Sequence, residues 1–270
     1  MEENKVTVII PIHEYNEELK KYVEVAIKST NIQTGYTDKI DVIVVGNLET
    51  LTAVSKDIDY KSYENIKVNE VVNTGKLDFQ DQVNLAVKNV TTKYFTVLEF
   101  DDELSNKYFK NVTHYISSFP NIDIFLPLIV EVDENNNINK YTNENIWSQG
   151  FVGDNGEVGY LNQTLLKEYT DFKLSGAVIK TSEYINIGGY KSNIKMTFGY
   201  ELLLRALNNS CVVYTIPRIL YKHLVNRNGS LFEIYKTKIS LPERKFWFDV
   251  ANKEYHYIND REIDLSGLNK

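Results

Sequence analysis

Cysteine is nearly absent from this sequence: Cys211 is the only one in 270 residues, so a disulfide framework is excluded. A chain of this length can bury a full hydrophobic core without such cross-links. No stretch approaches the ~20 consecutive apolar residues that a membrane-spanning helix needs. The apolar run from Val6 to Ile10 is only as long as a strand and acidic residues follow it, which is not typical of a signal peptide. These absences predict a cytoplasmic protein without a membrane span.

An excess of positive charge is also missing. The chain has 30 Lys and Arg residues against 37 Asp and Glu residues, for a formal net charge of −7. Proteins that bind nucleic-acid phosphates usually show a basic surplus or a basic stripe. A nucleic acid is therefore not expected as a partner. The composition, 43% apolar and 25% charged, is that of an ordinary globular domain.

Apolar runs and helical apolar patterns alternate along the first half of the chain. The run closed by Pro11 predicts a buried strand, and the spacing of Leu19, Val23 and Ile27 predicts an amphipathic helix after it. Further strands are predicted at 40–45, 67–72, 94–100 and 122–130. This alternation predicts an α/β fold with a mostly parallel central sheet flanked by helices. Ligands of such sheets bind at the carboxyl ends of the strands.

The densest group of acidic residues lies at one such strand end. Glu99, Asp101, Asp102 and Glu103 fall within five positions, directly after the predicted strand at 94–100. Carboxylates this close repel one another unless a cation or open water surrounds them. A hard divalent ion held by carboxylates and by substrate phosphates suits this arrangement. The alternative is a solvated turn with a helix-capping acid; the buried strand before the group favours the cation.

Four segments resemble the family 2 glycosyltransferases, which have the Rossmann-like GT-A fold of nucleotide-diphospho-sugar transferases. They are VTVIIPIHEYNEELKKYVEVAIKST, IDVIVV, VVNTGKLDFQDQVNLAVKNVTTKYFTVLEFDDEL and GGYKSNIKMTFGYELLLRAL. The resemblance covers roughly residues 5 to 230, and the segments follow the family's order and spacing. The resemblance implies a GT-A glycosyltransferase domain at residues 1–230. We expect a C-terminal helical extension, residues 231–270, to pack on it.

The resemblance implies an inverting, metal-dependent sugar transfer. It implies a nucleotide-sugar donor, most simply a UDP-sugar, a carbohydrate or glycosylated acceptor, and Mn²⁺ or Mg²⁺ as cofactor. The implied metal ligands are Glu99, Asp101, Asp102 and His223. The implied donor-binding residues are Pro11, His13, Glu14, Tyr15, Asn47, Asp78, Gln82 and Arg227. For two of them a plainer role stays open, since Asp78 could be only a helix N-cap and Tyr15 only a packed aromatic residue.

The acceptor side is expected around the start of a helix at about 200–207. The family often has Glu-Asp there, whereas this chain has Phe198-Gly199, and Glu201 is the only carboxylate of the segment. Glu201 is therefore the predicted general base; the alternative is a first-turn acid stabilised by the helix dipole. The residues predicted to contact the acceptor are Trp147, Gly176 and Tyr200.

Two departures from the family pattern leave other functions open. The second strand ends in Gly46-Asn47, where the family commonly has Asp, and Gly199 stands at the position of an acid. These changes motivate a catalytically weak nucleotide- or sugar-binding protein on the same fold. A DNA-modifying glycosyltransferase is possible on mechanism, but the acidic charge disfavours a duplex acceptor. The sequence leaves the oligomeric state open.

Overall fold

The computed structural model describes residues 4–144, 159–168 and 171–254 of the chain. The strands of these ranges form one sheet; in chain order they are β1 (Val6–Pro11), β2 (Ile40–Gly46), β3 (Ile66–Val72), β4 (Tyr94–Val97), β5 (Glu103–Leu104), β6 (Ile124–Val132), β7 (Ile138–Thr142), β8 (Tyr160–Leu161), β9 (Val178–Lys180) and β10 (Val213–Leu224). The helices are α1 (Glu17–Asn31), α2 (Leu48–Asp57), α3 (Phe79–Val87), α4 (Tyr108–Ser118), α5 (Gln163–Glu168), α6 (Thr181–Asn186), α7 (Phe198–Asn208), α8 (Leu231–Lys238) and α9 (Leu241–Glu254), with a 3₁₀ helix at Tyr60–Ser62.

The first four strands make the parallel half of the sheet. They lie in the order β3-β2-β1-β4, and all three pairings are parallel. Val8 of β1 lies opposite Val42 on one side and Thr96 on the other. Because β1 is central and covered on both faces, all of its residues are buried. The carboxyl ends of β1 and β4 therefore meet at the same edge of the sheet.

The second half of the sheet is mixed. Strand β9 lies between β4 and β6 and is antiparallel to both, whereas β6 and β10 are parallel. The two-residue strand β5 pairs antiparallel with β10, with Tyr221 opposite Leu104 and Lys222 opposite Glu103. This pairing holds the end of β10 beside the acidic residues that follow β4.

Helices cover both faces of the sheet because the side chains of each strand alternate between the faces. Val8 and Ile10 of β1 pack into one hydrophobic cluster with α1, α2 and α4. Ile9 points to the other face and packs into a second cluster with α3, α6 and α7. The cap of α1 is Asn16, whose side chain accepts the N–H groups of Glu18 and Leu19 at 3.0 and 3.1 Å.

The predicted α/β class and the GT-A architecture are confirmed. The polar stretch from Glu131 to Glu144 contains the β6–β7 hairpin. The C-terminal helices contact the body of the fold, and the ring of Phe248 in α9 stacks on Tyr200 of α7 at 4.8 Å. Within the described ranges, no helix combines the length and the apolar character needed to cross a membrane.

Candidate active site

A cavity of about 610 Å³ opens at the edge where β1, β4 and β10 end. The start of α7 and the helices α8 and α9 also line it. Several residues predicted from the sequence line it, namely Pro11, His13, Glu99, Asp101, Tyr200, His223 and Arg227. The fold thus gathers residues that lie more than 200 positions apart in the chain.

The turn from Glu99 to Asp102 directly after β4, here called the acid turn, forms one wall of the cavity. It is closed by the Asp102 N–H, which donates to the Glu99 carbonyl at 3.0 Å. The Asp102 side chain is fully buried and accepts hydrogen bonds at both oxygens. Its Oδ1 accepts the Leu224 N–H at 2.8 Å, and its Oδ2 accepts the Tyr221 hydroxyl at 2.7 Å and lies 2.8 Å from His223 Nδ1. Asp102 is therefore anchored to β10.

Glu99 reaches the cavity wall beside Asp102. Its Oε1 accepts the Ser175 hydroxyl at 2.9 Å. Burial raises the pKa of Glu99 to about 7, and the negative charge of Asp102 contributes to this rise. In the free protein, burial and the charge of Asp102 thus disfavour the ionised form of Glu99.

His223 has the opposite electrostatic environment. Burial alone would lower its pKa, but the adjacent Asp102 carboxylate outweighs burial and raises the pKa to about 9. One ligand atom each from Glu99, Asp102 and His223 lies within 4.8 Å of the others, which is close enough for one metal ion. Two carboxylates and an imidazole that has given up its proton fit a divalent cation.

Asp101 is paired with an arginine instead. Its Oδ2 accepts Arg227 Nε at 2.7 Å. Burial raises the pKa of Asp101, although the Arg227 charge opposes this. Arg227 is 4% exposed, and its guanidinium lies 5.3 Å from the centre of the Phe100 ring and has Nη2 at 3.5 Å from Glu14. Among the described residues Nη2 has no hydrogen-bond partner, so this buried cation retains a donor for an anion.

His13 lies next to this pair at the end of β1. Its ring packs against Phe100 with centroids 5.1 Å apart, and its Nε2 lies 3.3 Å from Glu14. Burial lowers the pKa of His13 to about 4 despite the Glu14 charge. His13 is therefore neutral at neutral pH.

Five predicted donor residues do not line the cavity. Glu14 lies beside His13 and Arg227, and the other four have contacts elsewhere. Tyr15 donates to Asp57 at 3.1 Å, and Asn47 caps α2 by accepting the Thr50 N–H at 2.7 Å. The buried Gln82 donates to the carbonyl of Leu77 at 3.0 Å. Asp78 accepts the Tyr235 hydroxyl and lies 2.8 Å from Lys195 Nζ. Their proposed roles in donor binding remain predictions.

Glu201 is buried in the first turn of α7 and is not part of the cavity wall. Its Oε1 accepts Arg205 Nε at 2.9 Å and its Oε2 accepts Arg205 Nη2 at 2.8 Å. The ammonium of Lys191 lies 3.6 Å away. Gly199 and Tyr200, its neighbours, do line the cavity. The geometry engages both oxygens of the predicted base in an ion pair.

Gly176 has a structural role beside the acid turn. Its φ is +66°, and a Cβ at this position would lie 2.2 Å from Cδ2 of Tyr221. Its carbonyl accepts the Tyr108 hydroxyl at 2.7 Å. The cavity is lined by Ser175, the residue before it. Trp147 lies outside the described residues.

Sequence reasoning missed Tyr221 and Ser175, which both bond to the acid turn. For Tyr221 a signal was available, since Tyr221 and His223 are two residues apart on a strand and must share a face. No comparable signal identifies Ser175, because the loop that positions it is irregular. The sequence also did not reveal Lys173, which lines the cavity and holds the buried Glu131 at 2.6 Å.

The chain is similar to known proteins in sequence family and in fold. Residues 7–190 match the family model described as Glycosyl transferase family 2. No curated protein sequence matches the chain. Among solved structures, the chain is similar to S. aureus TarS at 16% identity and a TM-score of 0.59, over 98% of this chain and 45% of that one. The chain thus spans less than half the length of that TarS structure.

Shorter TarS structures are similar to the same degree. TarS 1–349 in complex with UDP has a TM-score of 0.59 and its complex with UDP-GlcNAc one of 0.61, both at 16% identity. Each match covers 98% of this chain, and 75% and 76% of the two TarS chains. At this identity the likeness establishes a shared fold.

Proposed function

The chain belongs to glycosyl transferase family 2, and from this premise we propose that it moves a sugar from a nucleoside-diphosphate donor to an acceptor hydroxyl. We propose further that the donor is a UDP-sugar, that a divalent cation is required, and that the anomeric configuration is inverted. The observation that carries the proposal is the meeting of Glu99, Asp101, His223 and Arg227 in one cavity at the strand ends.

The proposed cofactor is Mn²⁺ or Mg²⁺. The proposed ligands are drawn from Glu99, Asp101, Asp102 and His223. When bound, such an ion would take up negative charge on the departing nucleoside diphosphate. Carboxylate oxygens suit both ions, and the imidazole in the set favours the transition metal.

Arg227 is the proposed diphosphate contact. Its guanidinium is always charged and offers nitrogens in a planar fork that matches two phosphate oxygens. The buried Nη2, which has no hydrogen-bond partner among the described residues, supports this role. His13, neutral and beside Arg227, would add a hydrogen bond without adding charge. Pro11, which lines the cavity, and Glu14, which lies 3.5 Å from Arg227, would complete the nucleotide side.

TarS structures with UDP and UDP-GlcNAc share this fold, which supports a UDP-sugar as the donor. The acceptor is proposed to bind at the other end of the cavity, where aromatic rings suit the C–H faces of a sugar. The aromatic residues proposed for this end are Phe79, Phe198, Tyr200, Phe232 and Phe248, which all line the cavity. Two of them belong to α8 and α9, so the proposed C-terminal extension would take part in the site.

The proposed general base is Glu201, which is buried in an ion pair with Arg205. Glu201 can accept a proton from the acceptor only if its ion pair with Arg205 opens. This pair and the glycine at position 199 favour a second candidate, a protein of the same fold that binds a nucleotide sugar with little turnover. Both candidates require metal-dependent donor binding, and only the first requires release of the nucleotide.

The two candidates can be separated by one set of measurements. Calorimetry with a panel of UDP-sugars, with Mn²⁺ and with EDTA, tests donor binding, and release of UDP tests turnover. We expect Mn²⁺-dependent binding of at least one donor, slow UDP release, and loss of both in D101A. The anomeric configuration of the product, read by NMR, tests inversion. Binding without UDP release would favour the second candidate, and donor binding that ignores EDTA would contradict the proposed cofactor.

A further inference from the structure

Tyr221 bonds to both ends of the acid turn. Its hydroxyl donates to Asp102 Oδ2 at 2.7 Å and accepts the backbone N–H of Glu99 at 3.1 Å. The side chain is fully buried near the end of β10. Because one hydroxyl bonds to both residues, the separation of Glu99 and Asp102 depends on where that oxygen lies.

We propose that Tyr221 is a positioning residue for the divalent cation, acting through Asp102 on His223. This inference rests on the proposed metal dependence. Glu99, Asp101 and His223 line the cavity, whereas Asp102 does not. Asp102 instead lies against Nδ1 of His223 and leaves Nε2 as the other ring nitrogen. A carboxylate that holds one nitrogen of a histidine commonly orients the other toward a metal.

The loop that contains Ser175 and Gly176 restricts the ring of Tyr221. Gly176 packs directly against it, and any larger residue there would collide with the ring, since a Cβ would approach to 2.2 Å. Ser175, the preceding residue, holds the side chain of Glu99 at 2.9 Å. The same short loop therefore fixes the tyrosine ring and one carboxylate, while the tyrosine hydroxyl fixes the other carboxylate.

A matched control exists in the same sheet. Tyr94 on β4 is as buried as Tyr221, but its hydroxyl has no hydrogen-bond partner among the described residues. Tyr94→Phe removes a buried hydroxyl without touching the acid turn. A comparison of the two variants separates the positioning of the metal ligands from a general effect of losing a buried hydroxyl.

The test is the affinity for Mn²⁺ alone, measured by electron paramagnetic resonance on wild type, Y221F and Y94F. We expect Y221F to bind Mn²⁺ about tenfold more weakly or worse, the range for loss of an outer-shell partner, and Y94F to match wild type. Thermal unfolding of each variant shows that the loss does not come from unfolded protein. Equal Mn²⁺ affinity in Y221F and wild type overturns the inference and leaves metal dependence intact. If wild type itself binds no Mn²⁺, the proposed metal dependence is wrong, and the inference falls with it.

A second measurement covers the case in which Y221F does not fold. In wild-type protein with labelled tyrosine, the Tyr221 hydroxyl proton is expected to exchange slowly and to remain visible by NMR when Mg²⁺ saturates the site. Disappearance of that signal on adding Mg²⁺ would mean that the bond to Asp102 breaks when the ion binds, and would overturn the inference.

Discussion

Arg227 Nε donates to Asp101 Oδ2 at 2.7 Å, so in the free protein one carboxylate of the acid turn already has a positive partner. The site therefore contains two kinds of acid. Asp101 has the Arg227 charge beside it, which opposes the rise of its pKa by burial. Glu99 has no such arginine, and burial and the charge of Asp102 raise its pKa to about 7. An anion that draws Arg227 away from Asp101 would leave the Asp101 carboxylate, in addition to Glu99, available to a cation. Donor and metal binding should therefore be coupled through this pair.

Replacement of Arg227 by glutamine should affect the two ligands in opposite directions. R227Q is expected to bind Mn²⁺ severalfold more tightly in the absence of nucleotide, because Asp101 loses its competing partner. The same variant should bind UDP roughly tenfold more weakly, since a charged hydrogen bond to phosphate is lost. Titrations with Mn²⁺ alone and with UDP alone measure both effects.

The double variant R227Q/D101N is the control for that prediction. If the gain in Mn²⁺ affinity comes from the freed carboxylate, it should largely vanish when Asp101 is also neutralised. A gain in Mn²⁺ affinity of the same size when R227Q is introduced into wild type and into D101N would show that Arg227 acts only through its long-range charge.

Gly199 and Gly176 should respond oppositely to alanine. Gly199 lies in the first turn of α7, and a Cβ there would meet only Leu174, at 3.9 Å. Glycine in a helix costs about 0.5–1 kcal/mol relative to alanine, so Gly199→Ala should raise the free energy of unfolding by that amount. Gly176→Ala should destabilise the protein strongly, because of its positive φ and the collision with Tyr221. Urea unfolding of both variants checks the signs, and a loss of stability in Gly199→Ala would contradict the first.

The Glu201–Arg205 pair should behave as a buried ion pair. E201Q leaves the Arg205 charge without its carboxylate and should lower the free energy of unfolding by about 3–5 kcal/mol. E201Q/R205M removes both charges and should recover most of that loss. UDP release by the refolded double variant then tests the base separately from stability: retained turnover would exclude Glu201 as the proton acceptor.

The contact between α3 and α8 should depend on acid pH. Burial would raise the pKa of Asp78, but the hydrogen bonds from Lys195 and Tyr235 outweigh it and lower the pKa below its ordinary value of 3.8. A carboxyl whose pKa is lower in the folded state stabilises the protein above the unfolded pKa, and this stabilisation disappears as the pH falls through the folded pKa. D78N should therefore be less stable than wild type at pH 7 by about 1 kcal/mol.

The difference between D78N and wild type should shrink below about pH 4, where the unfolded carboxyl begins to take up protons. Urea midpoints of both proteins, measured from neutral pH down to about pH 3, follow this change. A constant difference across that range would mean that Asp78 contributes by packing and not by charge.

Much of the site could be predicted because parallel strands bring their carboxyl ends together. Local pattern and family resemblance predict the strand before the acid turn and the helix α1. They also predict that Glu99, Asp101 and His223 lie at one cavity. The contacts of Asp102 with Tyr221 and Leu224 depend on β10, whose pairing with β5 is not visible in local sequence.

The predictions for Asn47 and Glu201 depended on which of two possible local roles each side chain takes. Asn47 has the chemistry of a donor contact and also that of a helix cap, and in the free protein it caps α2. Glu201 and Arg205 are four residues apart on a helix, a spacing that itself favours an ion pair. The same spacing is visible in the sequence and weighs against Glu201 as a free base. The alternation of strands and helices in the sequence does not indicate that β9 lies antiparallel between β4 and β6.

Helices α8 and α9 line part of the cavity, and both lie beyond the stretch 7–190 that matches the family. The acid turn and the nucleotide end of β1 lie inside that stretch. Glu201, His223 and Arg227 lie beyond it, as α8 and α9 do. The C-terminal portion would thus supply groups both to the proposed reaction and to the proposed acceptor end. Under the proposed function, exchanging aromatic side chains such as Phe232 or Phe248, which line the cavity, would change the acceptor.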